Sequence, residues 1–412
     1  MTDAADATRT DRDDSTGAGA GLRSLIVTST AAAPPISGAD LRNHQNARAL
    51  AKLGPVTMVS VGPLRDRQST AGGIQLAALS LPGEPRGKSL NPRRSSVEPR
   101  IPRAALPRLL EIARTVSPDI IILEGVGLAA LIGALRPFAR LLVLDMHNVE
   151  SLLLPHVFAS RLRERFLPSA WTNAGRARQL ERDALAQVDR VWVCSDIDRD
   201  RVVSLFAPKI PVDVVPNGIP RMDASPASLP AFPGKAEGWP VLLLLGHFAY
   251  PPNVTAAQRL AQEVLPRVRR AFPSARVILA GREPVPEVER LASLPGVELV
   301  VNPEDTSALL AGSHVCVVPL SAGGGTRIKI LEAMAWGLPV VATSVAAEGQ
   351  GFEEGREILI AETDQALAEA VIELCAEPVR MERQRRLAFE KVMLRYGLPA
   401  IEEAVRKGLG RV

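Results

Sequence analysis

Short apolar runs alternate with amphipathic stretches along almost the whole chain. Ser24 to Thr30 (SLIVTST) reads as a first buried strand, a helix follows from about Leu41 to Leu53, and Pro55 to Val61 (PVTMVSV) reads as a second strand. Further strand-like runs lie at Ile74 to Leu79, Asp119 to Leu123, Leu141 to Leu144, Val191 to Cys194 and Val212 to Val215. A second series starts at Val241 to Leu245 and continues through Ala275 to Ala280, Val297 to Val301, Val315 to Val318 and Val340 to Ala342. Helical patterns fall between them: Leu128 to Leu135, the stripe Ala177, Leu180, Ala184 and Val188, then Thr255 to Ala271, Thr306 to Ala311, Thr363 to Ala376 and Val379 to about Val405. Apolar strands alternating with helices predict parallel sheets with crossover helices, an α/β architecture.

The two series imply two domains, which suits a chain of 412 residues. Residues 1–21 are polar, without the apolar core of a signal peptide, and read as a disordered tail. Residues 22–220 form the first domain, and 221–240, rich in Pro, Ala, Ser and Gly, the linker. Residues 241–384 form the second domain, and 385–412 a closing helix. The longest apolar run, Ile120 to Leu135, is interrupted by Glu124 and too short to span a bilayer. Cys194, Cys316 and Cys375 lie far apart; Cys194 and Cys316 sit in apolar runs and read as core residues, which suits a reducing cytoplasm.

The net charge is +4, and the excess is clustered. Arg86, Lys88, Arg93, Arg94, Arg100 and Arg103 form one basic run, and Arg161, Arg163, Arg165, Arg176, Arg178 and Arg182 another. Such runs read as solvated surface, with peripheral contact to an anionic membrane, or to a lipid-linked pyrophosphate acceptor at the first run, as the alternative. No nucleic-acid partner is implied.

The chemistry concentrates in Ser321 to Gly349, SAGGGTRIKILEAMAWGLPVVATSVAAEG. Three glycines, Gly323, Gly324 and Gly325, open a helix whose Ile328, Leu331 and Ala335 share one face. Thr326 is placed to cap its start, and Gly337 to end it. Free N–H groups at a helix start, approached without obstruction by Cβ atoms, form an anion site. Arg327 and Lys329 add mobile positive charge. Glu332, one turn beyond Lys329, is placed to accept hydrogen bonds from a ribose diol. Phosphate plus diol indicates a nucleotide or nucleotide-sugar. The plain alternative is a flexible turn with Lys329 and Glu332 as a surface ion pair. The spacing is not that of a GxxxxGK[ST] loop, and the first strand is not followed by GxGxxG. Asp145, His147 and Glu150 (DMHNVES) lie just past the end of a strand, where open α/β sheets bind ligands, although a single histidine there can equally be structural.

The 321–349 stretch is similar to the donor-binding segment of retaining glycosyltransferases of family 4, in the subgroup that carries GTR-x-K-x-LEAMA-x-G-x-PVV-x-T. DMHNVES resembles that family's D-x-H-x-x-E segment, in which the histidine faces the donor sugar. The resemblance implies a GT-B fold, two Rossmann-like parallel-sheet domains facing a cleft, with the closing helix crossing back onto the first domain near Arg395, Tyr396 and Gly397. It implies transfer of a sugar, with retention, from a nucleotide-sugar donor to a glycan, lipid-linked or small-molecule acceptor. The donor is the substrate, and neither a metal nor a further cofactor is implied. His147 and Glu332 take the catalytic positions. Gly38, Gly246, Asn253, Gly323, Gly324, Gly325, Thr326, Arg327, Lys329 and Glu332 take the donor-binding ones. Ser37 and Arg42 fit the first loop of the pattern, although Ala39 stands where a second glycine is common. Tyr250 to Asn253 replace a basic pair, so Arg327 and Lys329 supply that charge. Gly324 occupies the position of a carboxylate that usually touches the sugar, and NPED after Val301 lacks the usual glycine near the base. A GT-B nucleotide-sugar epimerase and a non-catalytic nucleotide-sugar-binding protein are the alternatives from other functional classes.

Overall fold

The computed structural model describes residues 21–30, 37–63, 70–71, 73–80, 88–91, 98–154, 168–220, 228–234 and 238–410. One sheet holds β1 (Ser24–Thr28), β2 (Val56–Ser60), β3 (Thr70–Ala71), β4 (Ile74–Ala78), β5 (Ile120–Glu124), β6 (Leu141–Met146), β7 (Arg190–Val193) and β8 (Val212–Val214). Their order is β3-β4-β2-β1-β5-β6-β7-β8, parallel throughout except for the antiparallel β3–β4 pair at the edge. The second sheet holds β9 (Val241–His247), β10 (Arg276–Arg282), β11 (Val297–Val301), β12 (Val315–Val318), β13 (Val340–Ala342) and β14 (Leu359–Ile360). Its order is β11-β10-β9-β12-β13-β14, all parallel. In both sheets the strand order reverses beside the first strand, which makes a crevice at the carboxyl ends of β1/β5 and β9/β12. Every residue of β1, β2 and β5 is buried, which is why those segments read as largely apolar runs without a polar alternation.

The helices that build the cleft are α1 (Gly38–Ala51), α2 (Pro168–Leu185), α3 (Asp196–Phe206), α4 (Pro251–Gln258), α5 (Ser307–Gly312), α6 (Ile328–Ala335), α7 (Pro378–Tyr396) and α8 (Leu398–Leu409). Hydrophobic period places the start of the first at Leu41, yet α1 starts at Gly38 because Ser37 and Asp40 form a capping box. The Asp40 N–H donates to Ser37 Oγ and the Ser37 N–H donates to Asp40 Oδ2, both at 3.1 Å. The helix expected from Thr255 starts at Pro251, since proline fits a first helical turn. Ser195 caps α3 by accepting the Asp198 N–H at 3.1 Å, as the SDID pattern suggests.

The chain passes between the domains twice, at adjacent places. After β8 it runs through Pro216–Ile219, where Gln45 of α1 accepts the Gly218 N–H at 2.7 Å and donates to Ile219 O at 2.9 Å. It returns at Gly397, where the Ile219 N–H donates to Tyr396 O at 3.0 Å. A boundary at residues 384/385 therefore falls inside α7, and the break lies at Gly397, where a β-carbon would run into the Met393 carbonyl. α8 then packs on the first domain. Its Ile401, Val405 and Leu409 join Ile26, Met58 and Trp192 in one core, and Trp192 Nε1–H donates to Gly408 O at 2.8 Å.

All three cysteines are free and buried. Among the described residues no helix is long and apolar enough to cross a membrane. Residues 1–20 and the linker residues 221–227 and 235–237 lie outside the described residues, as do Arg86, Arg93, Arg94, Arg161, Arg163 and Arg165 of the basic runs.

Candidate active site

The second domain's side of the cleft is the loop between β12 and α6. Gly323 (φ +144) and Gly325 (φ +67) hold backbone conformations that residues with a β-carbon rarely adopt. Thr326 does not cap α6, contrary to the sequence reading. The cap residue is Arg327, which makes no side-chain capping bond, and the Ile328 N–H turns back onto Thr326 O at 3.0 Å instead. Gly337 (φ +72) ends the helix, as its position suggests. Ile330, Leu331, Ala333, Met334 and Ala335 are buried, while Ile328 sits at the cleft.

The two cations are pinned, not mobile. Arg327 is buried, and its Nη1 donates to Gly324 O and, at 2.5 Å, to Gly325 O. Arg327 Nε is buried with no hydrogen-bond partner among the described residues. Lys329 Nζ donates to Asn253 Oδ1 at 2.8 Å, while Asn253 Nδ2 donates to His247 O at 2.9 Å. Neither cation forms an ion pair with a carboxylate among the described residues. Burial lowers the pKa of both, with that of Lys329 falling to about 8 as the Arg327 charge adds to the effect and Cys316 opposes it. Lys329 thus reaches from α6 to the first turn of α4. Gly246 makes room for this, since a β-carbon there would lie 3.3 Å from the Asn253 amide. Glu332, half-buried, accepts from Thr306 Oγ1 at 2.9 Å, so it faces the loop that follows β11 and is not paired with Lys329.

The first domain meets this loop directly. Gly38, the first residue of α1, would place a β-carbon 3.2 Å from Ile328 Cδ1, so the N-termini of α1 and α6 confront each other across the cleft. His147 follows β6, with Nδ1 3.8 Å from Glu124 Oε1 and Nε2 3.6 Å from Asp145 Oδ2, and Nε2 has no hydrogen-bond partner. Both carboxylates are already engaged. Glu124 accepts the Ser29 N–H at 2.6 Å, and burial raises its pKa against the pull of His147 and that bond. Asp145 receives Arg42 Nε at 2.9 Å and Asn46 Nδ2 at 3.0 Å. Burial alone would raise the Asp145 pKa, but the Arg42 charge and His147 outweigh it and hold it at about 2. Glu150 is pushed upward by burial, against the Asn148 amide 3.3 Å away.

The fit around Gly324 gives a physical reason for the missing carboxylate. A β-carbon on Gly324 would lie 2.9 Å from Leu153 Cδ1 and 3.1 Å from Asn148 Oδ1, and one on Gly325 would lie 2.6 Å from Asn148 Oδ1. Side chains of the first domain fill the space a glutamate would need. Sequence reasoning missed Asn148, Leu153 and Glu124. Only Glu124 left a signal, as a charge closing the apolar run IIILE at a strand end. It also missed the link between Arg201 of α3 and Glu348 of the second domain, 2.6 Å apart. Among the described residues no group of three or more His, Cys, Asp or Glu is placed to hold a metal ion.

The family model described as Glycosyl transferases group 1 matches residues 239–377, and the model described as Glycosyl transferase 4-like domain matches residues 37–218. The chain belongs to the group 1 glycosyltransferases. Its two parallel-sheet domains form the GT-B fold shared with solved structures of low sequence identity. WaaG, a glycosyltransferase involved in lipopolysaccharide biosynthesis, superposes with a TM-score of 0.66 at 13% identity, over 94% of this chain and all (100%) of that one. Sucrose-phosphate synthase from Thermosynechococcus elongatus gives 0.64 at 18% identity, over 93% of this chain and 98% of that one. Anabaena HepE, solved with UDP, gives 0.64 at 14% identity, over 95% and 100%. An uncharacterized 44.6 kDa protein in the cps region of Klebsiella pneumoniae is 26% identical over 139 residues, 32% of this chain and 36% of that relative. The match thus spans about a third of the relative's length.

Proposed function

We propose that the chain transfers a sugar from a nucleoside-diphosphate sugar to a glycan or lipid-linked acceptor, with retention of configuration and without a metal ion. One observation carries the reading: Arg327 is buried and Lys329 half-buried beside the glycine loop, with no carboxylate paired to either among the described residues. Buried cations cost free energy unless an anion meets them, and a diphosphate is an anion that the loop N–H groups and the start of α6 also suit. In this reading the bond from the sugar's anomeric carbon to the diphosphate breaks, and the acceptor hydroxyl bonds to that carbon from the same face. The acceptor's proton passes to the departing phosphate oxygen. Arg327 and Lys329 stabilise the charge that grows there, and catalysis is mainly positioning and electrostatics. His147 lies beside the sugar and Glu332 holds the ribose diol.

HepE solved with UDP and glucose supports uracil as the base to try first. The cps-region relative and WaaG support a polysaccharide or lipopolysaccharide-type acceptor. The test is a thermal-shift panel of nucleotide-sugars followed by product analysis with and without acceptor. A bound donor raises the melting temperature by mass action, and glycosylated acceptor should form with the anomeric configuration of the donor. Inverted product, or a free epimer released without acceptor, would remove the reading.

A further inference from the structure

Val149 opens the helical turn that leaves the His147 segment: the N–H groups of Leu152 and Leu153 both return to Val149 O, at 3.0 and 3.1 Å. Helix geometry leaves the N–H groups of the next residues, Glu150 and Ser151, without partners inside the helix. A serine or aspartate at the cap position would satisfy one of them, but valine carries no acceptor. Glu181, from the middle of α2, supplies the acceptor from outside. The Ser151 N–H donates to Glu181 Oε1 at 3.3 Å, and the nearby Glu150 N–H pulls the pKa of the same carboxylate down.

The position is costly for an acid. Glu181 is 0% exposed and lies on the buried stripe of α2 between Ala177 and Ala184, next to the small apolar cluster of Leu154, Ala174 and Ala177. Burial lifts its pKa to about 7, although Ser151 and the Glu150 N–H pull it down. Among the described residues its Oε2 and the Ser151 hydroxyl are buried without hydrogen-bond partners. The titratable group that faces it is Glu150. A leucine would suit this stripe better for packing alone. What the carboxylate supplies is the anchoring of a turn whose preceding residues, His147 and Asn148, close over Gly325, and whose Leu153 closes over Gly324.

We propose that Glu181 is a positioning residue for the reaction: by holding the Ser151 N–H it fixes the turn that presents His147 and Asn148 to the glycine loop. The proposal rests on the reading of the His147 edge as the reaction centre, and its test separates the two. Glu181→Leu keeps the volume and the apolar stripe but removes the acceptor. Glu181→Gln keeps an acceptor oxygen. Hydrogen exchange over residues 148–153 reports the turn directly, whether or not the enzyme turns over. Calorimetry with UDP reports the second domain, and hydrolysis of UDP-glucose reports kcat and KM.

In Glu181→Leu these amides should exchange about tenfold faster or more, as expected for one lost charge-assisted hydrogen bond. Its kcat should fall about 10–100-fold, the scale of a small misplacement, with KM and the UDP dissociation constant unchanged. Glu181→Gln should restore protection and most of kcat. If Glu181→Leu does not fold, Ser151→Pro removes the donor in a first helical turn that tolerates proline and should give the same split. Wild-type exchange in Glu181→Leu, or in Ser151→Pro if that variant is needed, would overturn the positioning role. Absence of UDP binding and turnover in the unmodified chain would instead count against the donor reading and leave the exchange result to decide on Glu181.

Discussion

Gly324 and Leu153 come from opposite domains and share one space: a β-carbon on the first would lie 2.9 Å from Cδ1 of the second. Gly324→Ala should therefore strain the closed cleft by about 1–3 kcal/mol, the usual range for overpacking. Leu153→Ala in the same chain makes room and should recover part of that loss. A double-mutant cycle by urea denaturation should show a coupling above about 0.5 kcal/mol, the lower bound for residues in contact. Strict additivity would mean that the two residues do not touch in solution.

Arg42 and Asp145 make a second prediction. Each side chain is 1% exposed, and Arg42 also donates to Val215 O and Asn217 Oδ1, at 2.6 and 2.9 Å, so the pair ties the end of β6 to the first interdomain crossing. Arg42→Met leaves a buried carboxylate unpaired and should cost about 3–5 kcal/mol. The sign of the pH dependence follows from the lowered pKa of Asp145, about 2 against an ordinary 3.8. Its contribution is present above the ordinary value and is lost as pH falls through about 2. The stability difference between wild type and Asp145→Asn, measured by urea midpoints, should hold from pH 7 down to the ordinary carboxylate range and narrow below it.

The ribose assignment has its own test. Glu332 accepts from Thr306 Oγ1 in the free chain, and a ribose diol would take over that carboxylate. Hydrogen bonds to a charged group are worth about 1.5–3 kcal/mol, so Glu332→Gln should weaken UDP binding about tenfold or more. The same change should leave 2′,3′-dideoxy-UDP almost unaffected. Equal losses for both ligands in calorimetric titrations would make Glu332 a support for α5 and α6 only.

Much of the architecture was legible in the chain, for reasons visible in particular residues. The LIV core of β1 and the VLLLL of β9 are continuous apolar runs because both faces of those strands are covered, so burial leaves a readable run. β3 and β14 have two residues each, too few to leave a period. The glycine loop was readable because Gly323 and Gly325 need backbone angles that side chains disfavour. Relations across the cleft were not readable. Whether Lys329 meets Glu332 on its own helix or Asn253 on another is decided by tertiary packing, and local spacing offered Glu332 only as the plain alternative. Thr326 has the chemistry of a cap, but the chain enters α6 through Arg327 in a tighter turn. Glu181 looks from sequence like one more polar residue on a helix, and only the fold shows it on the buried stripe.

The central claim is that Arg327 and Lys329 wait for a diphosphate, and calorimetric titration of UDP and uridine into wild type and Lys329→Met tests it most directly. The Lys329 pKa is lowered to about 8 from an ordinary 10.5, so this half-buried cation destabilises the free chain below about pH 8 and that cost disappears as pH rises toward 10.5. At pH 7 Lys329→Met should therefore raise the thermal stability of the free chain while weakening UDP binding by about 10–150-fold, the equivalent of one charged hydrogen bond. Uridine should bind both chains equally weakly, and wild-type affinity for UDP should decline above about pH 8 as the lysine loses its proton. Equal UDP affinity in wild type and Lys329→Met across that range, or UDP no tighter than uridine in wild type, would contradict the account.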